Sequence, residues 1–418
     1  MSYSGIRIKE GVSMTIIADW LLACSILLYS YRGNIGALTA IFSFIVRFST
    51  GKLKYAKTSN LQKAWIGFIL VFAITDYLIR NINFEFYAFV GYIIAILCIV
   101  FLEAENIERL FKYVYRFSIF VAFTVILQFV FPSIFKQIAR IVMPINVYSS
   151  IVRREASGYI TGLTREVSYT ALFLTFGLIY TFYKSKSRDK YIICIFWMVL
   201  LFVSGKKSQP LFAVIAILLG TYFQSKNIGK HMKTIFKIIL VILVLICAYP
   251  IWSKISVLSR IVFFIESLST GVDFIGLTSG RIVIYARALE LWHQNKMLGI
   301  GWENFRNIGA YGSSEYTTWF NGFDIHNCYL QILCETGIIG LVLFAILFII
   351  TTVNIIKMLR IQSKTNDNIK LAATYYCFFW LLALSEPSFY TDAYVIMLFV
   401  MISFIFNKKT FGQNVYAE

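Results

Sequence analysis

The sequence is poor in charged residues, histidine and proline. Charged residues make up only 14% of the 418 positions and hydrophobic residues 59%, whereas soluble proteins average about 25% charged and about 45–50% apolar residues. A soluble domain cannot cover that much apolar surface, so the composition excludes the ordinary soluble classes. Three histidines, and seven cysteines without a Cys-x-x-Cys pair, argue against a disulfide framework or a cysteine-rich metal site.

Acidic residues are also scarce, because 21 Asp and Glu stand against 39 Lys and Arg, a formal net charge of +18. In a soluble protein such an excess would indicate a nucleic-acid partner. Here most basic residues lie in short connectors between apolar runs, where they set topology and contact anionic headgroups. We therefore expect membrane lipids, and no nucleic acid, among the partners.

Long apolar runs dominate what is present. A bilayer core about 30 Å thick needs about 20 apolar residues per helix. The sequence predicts an all-α polytopic membrane protein with about twelve transmembrane helices, forming a single integral membrane domain over residues 1–418. The first run is followed by further spans, so it predicts a membrane helix and not a cleaved signal. The predicted spans are 14–31, 33–48, 61–80, 84–102, 113–131, 166–183, 190–204, 208–224, 233–252, 326–350, 369–385 and 388–406.

The distribution of basic residues predicts the orientation. Alternate short connectors are rich in Lys and Arg. The positive-inside rule places these connectors and both termini on the cytoplasmic side of the membrane, which we expect to be a bacterial cytoplasmic (inner) membrane. Two longer connectors on the other side break the pattern: 132–165, and one large extracytoplasmic loop, 253–325, between the ninth and tenth spans. An anionic ligand would explain their positive charge; the alternative is that long loops cross regardless of charge.

The large loop contains a candidate anion site. Arg281 stands in the first turn of a helix predicted over 282–296, with Ser279 as its N-cap. The helix dipole disfavours a cation there, so the placement fits best if an anion also binds, because free N–H groups and a guanidinium together suit phosphate. The alternative is a surface Arg281 paired with a carboxylate.

The end of the loop carries a candidate base. Gly299 and Gly301 predict a tight turn with close backbone approach, and the aromatic residues that follow suit sugar rings or the membrane interface equally. His326 stands at the N-terminus of the tenth span, where the dipole would keep it neutral and able to accept a proton. The alternative is a capping or interfacial histidine. Glu335, inside the span, must face a protein interior or a cavity.

Several motifs in order carry a family resemblance. They are Ser279-Gly280-Arg281, a helix, Leu298-Gly299-Ile300-Gly301-Trp302, a polar loop, His326-Asn327-x-Tyr329-Leu330-Gln331 and Glu335-Thr336-Gly337-Ile338-Ile339-Gly340. This order resembles the O-antigen ligase and polymerase superfamily, over roughly residues 160–400. Two looser matches are 161–168, where Val167 replaces the proline of a Gly-x-x-x-Glu-Pro-Ser pattern, and 204–207, where relatives often carry Ser-Arg-Gly.

The resemblance implies a membrane glycosyltransferase that works without metal, nucleotide sugar or other cofactor. Its donor would be a polyprenyl-diphosphate-linked oligosaccharide and its acceptor a glycan hydroxyl, in O-antigen, capsule or exopolysaccharide biosynthesis. Arg281 and His326 would be catalytic. The diphosphate would contact Arg281, Arg165, Lys206 and Lys207. The candidates for sugar-binding or supporting roles are Glu166, Tyr285, Trp302, Asn327 and Glu335.

Alternatives remain at the level of function. Glu166 and Ser168 favour a repeat-unit polymerase, whereas a ligase would transfer finished glycan to a lipid core or surface anchor. A flippase or transporter would need ionisable residues along a central path, for which Asp19 and Asp76 are the candidates. A non-catalytic scaffold that works with other polysaccharide-assembly proteins is a further alternative.

Overall fold

The described part of the protein is helical. This computed structural model describes residues 4–50, 56, 58–206, 208–224, 281–308, 324–362 and 366–407, with side chains from residue 14 onward and without that of residue 362. No strand occurs in these ranges. The main helices are α1 Ser4–Tyr29, α2 Gly33–Ser49, α3 Asn60–Arg80 (π-helical over Ile69–Asp76), α4 Phe86–Phe101, α5 Ala104–Val130, α6 Pro132–Val142, α7 Ile145–Ala156, α8 Val167–Lys184, α9 Lys190–Val203, α10 Ser208–Gln224, α11 Arg281–Gln294, α12 Phe305–Ile308, α13 Cys328–Gln362, α14 Asp367–Leu382 and α15 Asp392–Ile405.

The helices agree with the predicted spans. Eleven of the twelve predicted spans overlap helices of the described ranges, whereas 233–252 lies outside them, as do 253–280 and 309–323 of the predicted loop. Within the described residues, three helices are long and apolar enough to cross a membrane, and six further apolar helices are shorter. The all-helical class is therefore confirmed for this part of the chain, and the count of twelve spans and the single large loop stay predictions. The three long helices are Asn60–Arg80, Ala104–Val130 and Cys328–Ile361.

The chain divides into two compact units. Met1–Tyr113, Phe274–Ile355 and Phe379–Glu418 form the first, and Val114–Asp273 with Ile356–Phe378 forms the second. In the first unit α1 packs on α2, and α4 packs on both α2 and α15. Its core is aromatic: Trp65 donates from its indole N–H to the hydroxyl of Thr351 and lies in a cluster of rings. That cluster comprises Trp65, Phe68, Phe344, Trp380, Phe389 and Phe399.

The second unit is built around α8, which is buried along most of its length and packs against α9 and α10. The contact with α9 is close at Gly177, where an added Cβ would lie 2.6 Å from the Trp197 ring. Trp197 in turn donates from its indole N–H to the hydroxyl of Thr181 at 3.0 Å. A glycine facing a tryptophan thus lets two apolar helices approach closely without a buried unpaired donor.

Helix α13 is broken at Gly337, whose φ of +66° and ψ of −168° lie outside the helical region. The break leaves carbonyl groups of the preceding turn without partners inside the helix. Backbone N–H groups of the segment after α11 donate hydrogen bonds to them. The N–H of Ile300 donates to the carbonyl of Cys334 at 3.0 Å, and the N–H of Gly301 donates to that of Glu335 at 2.9 Å. Backbone groups freed inside a predicted span are therefore satisfied by protein, as an apolar environment requires.

The same segment also satisfies donors beyond the break. The N–H of Ile338 donates to the carbonyl of Lys296 at 2.9 Å. The approach is so close that a Cβ on Gly337 would collide with the backbone of Met297, and one on Gly299 with the backbone of Glu335. The predicted tight turn is confirmed, because Gly299 and Gly301 both have positive φ, a conformation that favours glycine.

We expect Gly337→Ala to lower the unfolding temperature of the purified protein in detergent. Alanine at a positive φ costs on the order of 1–3 kcal/mol, and its Cβ would also collide with Met297. Gly67→Ala is the matched control, because a Cβ at Gly67 meets nothing within 4 Å and alanine favours a helix over glycine by about 1 kcal/mol. Equal unfolding temperatures for the two variants would contradict the importance of the break.

Candidate functional site

Arg281 is the first described residue of α11, and the predicted N-cap Ser279 lies outside the described residues. Arg281 lies beside a carboxylate from another part of the first unit. Its Nη2 is 3.9 Å from Oε1 of Glu386, whose side chain is only 6% exposed while that of Arg281 is 33% exposed. The carboxylate pairing that the sequence left as an alternative is thus present. The distance is long for a tight ion pair, and the exposed part of the guanidinium is free to meet a ligand.

His326 lies on the other side of the same carboxylate. Its Nδ1 is 4.0 Å from Oε2 of Glu386. The residue has a φ of +53°, a left-handed conformation that is uncommon outside glycine, although histidine adopts it more readily than most residues. The hydroxyl of Tyr285 on α11 donates to the carbonyl of His326 at 3.3 Å. Burial raises the pKa of the Tyr285 phenol, which keeps this donor protonated.

Asn327 is the capping residue, so His326 is not. The side-chain oxygen of Asn327 accepts the N–H of Leu330 at 3.0 Å, in the first turn of α13. This N-cap satisfies a backbone donor that has no partner within the helix. Asn327 was predicted to bind sugar or to have a supporting role, and this contact corresponds to the supporting role. The imidazole of His326 is not used for capping and lies beside Glu386.

Glu386 is the residue that sequence reasoning missed. It lies in the short connector between α14 and α15, which the sequence distinguished only by its lack of positive charge. It joins Arg281 and His326, although 60 positions and two helices separate it from His326. A buried carboxylate 4.0 Å from an imidazole stabilises the protonated form of the ring through its charge. The one available signal was an acidic residue between two apolar runs.

A second ion pair holds the chain just before His326. The guanidinium of Arg306 donates to both carboxylate oxygens of Asp324, at 2.7 and 2.8 Å, and lies 3.6 Å from Glu85. Asp324 raises the pKa of Arg306 well above its ordinary value. Because a bidentate pair fixes both distance and orientation, it restrains the backbone two residues before the left-handed His326.

The turn that follows Gly299 is held by the end of α3. A carboxylate oxygen of Asp76 accepts the N–H of Trp302 at 2.8 Å, and Arg80, which also contacts Asp76, donates to the carbonyl of Leu298 at 2.8 Å. Asp76 therefore has a structural role in the turn. Asp19 likewise lies between two arginines, Arg47 and Arg109.

Trp302, predicted to bind sugar or to have a supporting role, has a completely buried side chain. The ring stacks on Tyr390 with centroids 4.6 Å apart, and its indole N–H donates to the hydroxyl of Tyr92 at 3.0 Å. These contacts correspond to the supporting role, the second of the two that the sequence predicted.

Glu335 faces the protein interior, as predicted. Its carboxylate accepts the N–H groups of Glu303 at 2.7 Å and Phe305 at 3.1 Å, and the amide of Gln331 donates to it at 3.3 Å. The acid thereby satisfies donors at the start of α12. This is a supporting role, and it fixes the turn to the helix that follows His326.

Arg165 and Glu166 lie in the second unit, at the start of α8. Nη2 of Arg165 is 3.8 Å from a Glu166 carboxylate oxygen, and Nη2 of Arg154 is 3.6 Å from the same atom. All three side chains are more than one-third exposed. The sequence did not single out Arg154. Exposed pairs of this kind contribute little to stability. Because the side chains are exposed, both guanidinium groups are accessible to an anion.

Lys206, which is predicted to bind the same diphosphate as Arg165, lies in a turn next to the segment before Arg165. The N–H of Ile160 donates to the carbonyl of Ser204 at 3.3 Å. At Gly205, which has a φ of +85°, an added Cβ would lie 3.0 Å from the carbonyl oxygen of Gly158. The turn that carries Lys206 therefore packs on the segment that leads to Arg165, whereas Lys207 lies outside the described residues.

Glu303 gives the site a pH-dependent stability. Burial raises the pKa of this carboxyl from 4.5 to about 7, so the folded protein holds a proton that the unfolded chain releases above about pH 4.5. Stability is then full at low pH and falls as pH rises towards 7. At about 1.4 kcal/mol per pKa unit, the loss is about 3 kcal/mol at most. We expect Glu303→Gln to make this slope shallower between pH 5 and 7.5, measured by thermal unfolding in detergent.

The exposed Glu290, whose side chain is 57% exposed and pairs with Arg287 on the same helix, provides the control. Glu290→Gln keeps the wild-type slope. Identical slopes in wild type and Glu303→Gln would show that the Glu303 carboxyl does not titrate with folding in this range.

Comparison with known protein families gives a match over the central part of the chain. The family model described as O-antigen ligase matches residues 192–345, a segment that includes Arg281, His326 and Glu335. No match occurs among curated proteins. Members of this family are glycosyltransferase-like enzymes, and the apolar helices agree with an integral membrane protein. The match to this segment supports the resemblance of the chain to the superfamily of O-antigen ligases and polymerases.

Proposed function

We propose that the protein is a polysaccharide repeat-unit polymerase. It transfers a polyprenyl-diphosphate-linked oligosaccharide onto a sugar hydroxyl at the outer face of the bacterial cytoplasmic membrane. The observation that carries the proposal is the arrangement of Arg281 and His326 on either side of the buried Glu386, at 3.9 and 4.0 Å. It supplies an exposed cation and a candidate base within one small site, in a chain of the matching superfamily.

The cation addresses the leaving group. In the reaction the bond between the anomeric carbon and the diphosphate oxygen breaks, and its electron pair goes to that oxygen. Arg281 offsets the developing negative charge, and its planar guanidinium contacts two phosphate oxygens at once. Its position in the first turn of α11 adds the favourable end of the helix dipole.

The imidazole addresses the acceptor. As the sugar hydroxyl attacks the anomeric carbon, its proton passes to His326, and the new glycosidic bond forms. The resulting imidazolium has Glu386 beside it, and this carboxylate stabilises the charge. Because diphosphate is already a good leaving group, the base need contribute only about 10²–10⁴-fold to the rate.

The basic residues of the second unit take part in donor binding. We assign contacts with the phosphates of the lipid-linked saccharide to Arg165, Lys206 and Lys207, with Glu166 as a supporting residue that orients the arginines. Exposure of Arg165 and Arg154 around one carboxylate supports this assignment. Lysine keeps the charge of the arginine found in relatives but lacks its bidentate geometry.

The membrane orientation of the proposal follows from the basic connectors. Short connectors rich in lysine, such as the one between α8 and α9, belong on the cytoplasmic side. With both termini also in the cytoplasm, the connector of Arg281 and His326 lies outside, where a lipid-linked donor that has crossed the membrane is available.

Ligase-type transfer is the second candidate function, since the family model carries that description. The polymerase is favoured by the Glu166-x-Ser168 segment at the start of α8. Transport of the intact lipid-linked saccharide is less well supported, because its two candidate acids, Asp19 and Asp76, both have structural partners.

The catalytic assignment is tested with purified protein and a defined polyprenyl-diphosphate oligosaccharide repeat. We expect His326→Ala to reduce oligomer formation by about 10²–10⁴-fold and Arg281→Ala by about 10²–10³-fold. Arg281→Lys should fall between wild type and Arg281→Ala, because it keeps charge without the planar fork. A wild-type rate for Arg281→Lys would contradict bidentate binding, and one for His326→Ala would contradict the base.

A matched control lies on the same helix. Arg287 pairs with Glu290 at 2.7 Å, so Arg287→Lys should keep the wild-type rate. A loss in Arg287→Lys as large as that in Arg281→Lys would assign both effects to the stability of α11 instead of to the leaving group.

The choice between polymerase and ligase is tested by the products of a strain that lacks the gene. A polymerase predicts loss of long glycan chains while single-repeat material is retained. Accumulation of long lipid-linked polymer, with none attached to an acceptor, would establish ligase-type transfer instead.

A further inference from the structure

Helix α6 is too short to cross a bilayer. Its 11 residues extend about 16 Å at 1.5 Å per residue, roughly half the thickness of the hydrocarbon core. It follows directly on α5, one of the three helices able to span a membrane, with only Phe131 between them. Pro132 at its first position starts a new helix, so the chain turns where the long helix ends.

Other parts of the protein cover only part of the apolar side of α6. Phe135 and Ala139 are completely buried. Beside them on the helix surface, Ile134, Ile138 and Ile141 are exposed by 50, 37 and 84%. Three exposed isoleucines at helical spacing form an apolar stripe. An exposed apolar stripe outside the predicted spans indicates contact with a membrane or with another protein surface.

The other side of α6 is polar and basic. Ser133, Lys136 and Arg140 lie there, with Ser133 and Arg140 exposed. An apolar stripe opposite lysine and arginine is typical of helices that lie flat in a membrane interface. The basic side chains then meet anionic headgroups, while the isoleucines enter the acyl boundary.

The exposed stripe adjoins exposed apolar residues where α5 ends. Phe129, Val130 and Phe131 are exposed by 45, 50 and 54%, and α5 is long and apolar enough to span a membrane. We propose that α6 is an interfacial helix, whose isoleucine stripe is covered by the bilayer in which α5 is embedded. This inference is independent of the proposed glycan transfer.

Contacts within the second unit tie this helix to the basic segment. Nζ of Lys136 is 2.8 Å from one oxygen of Glu155 on α7, and the amide of Gln128 on α5 donates to the other oxygen at 3.1 Å. The Gln128 oxygen accepts the N–H groups of Thr161 at 3.1 Å and Gly162 at 2.8 Å. The membrane-embedded α6 thereby fixes the level of the turn before Arg165 relative to the headgroups.

The full chain is tested in nanodiscs of phosphatidylcholine and phosphatidylglycerol. An environment-sensitive fluorescent amino acid replaces Ile134 or Ile138 in separate proteins, and Ser133 in a matched control on the polar side. We expect blue-shifted emission at both isoleucine positions, with quenching by acyl-chain-brominated lipid several-fold stronger than at Ser133. Size-exclusion profiles identical to wild type exclude misfolding, and two test positions guard against the failure of one.

Two outcomes would overturn the proposal. Emission at water-like wavelengths at Ile134 and Ile138 would show that the stripe faces solvent. Blue-shifted emission without quenching by brominated lipid would show that protein covers it, either a second copy of the chain or another partner.

Discussion

The pairing between the broken helix α13 and the segment 296–301 is the interaction on which the rest of the candidate site depends. A break in an apolar helix exposes backbone groups that lipid cannot satisfy. Here the segment supplies both donors and acceptors to the two sides of Gly337, so neither part is stable in this form without the other. The pairing fixes the end of α11 against the first turns of α13. Arg281 at the start of α11 and His326 just before α13 are thereby held in one frame.

Although the chain is strongly basic, acidic residues hold the segments of the candidate site together. Glu335 binds the backbone of the turn after Gly301, Asp76 binds the same turn from α3, and Asp324 restrains the approach to His326. Glu386 connects the two proposed catalytic residues. Each carboxylate is buried or partly buried, where one acceptor with several lone pairs can hold several donors at once. These four acids thus lie where the backbone departs from regular helix.

Much of this arrangement could be predicted from sequence, because its signals are local. Apolar runs predicted the helices, Gly299 and Gly301 predicted the turn, and the order of motifs predicted the family. Contacts between distant segments could not be predicted. Glu386 carries no local mark of its proximity to His326, and Trp302 resembles a sugar-stacking residue until Tyr92 and Tyr390 are known to enclose it. The partners of Asp19 and Asp76 were missed for the same reason, since periodicity describes which face of a helix is apolar and not which helix it meets.

The nearly equal distances from Glu386 to Arg281 and His326 have a consequence for the proposed chemistry. The carboxylate lies between a permanent cation and an imidazole, and neither pairing is short. A diphosphate that contacts Arg281 brings more negative charge than a single carboxylate, so it competes for the guanidinium. Glu386 then loses this counter-charge and interacts more strongly with His326, whose protonated form gains stability. Donor binding would in this way increase the basicity of the residue that must take the proton of the acceptor, and the base would be strengthened when both substrates are present.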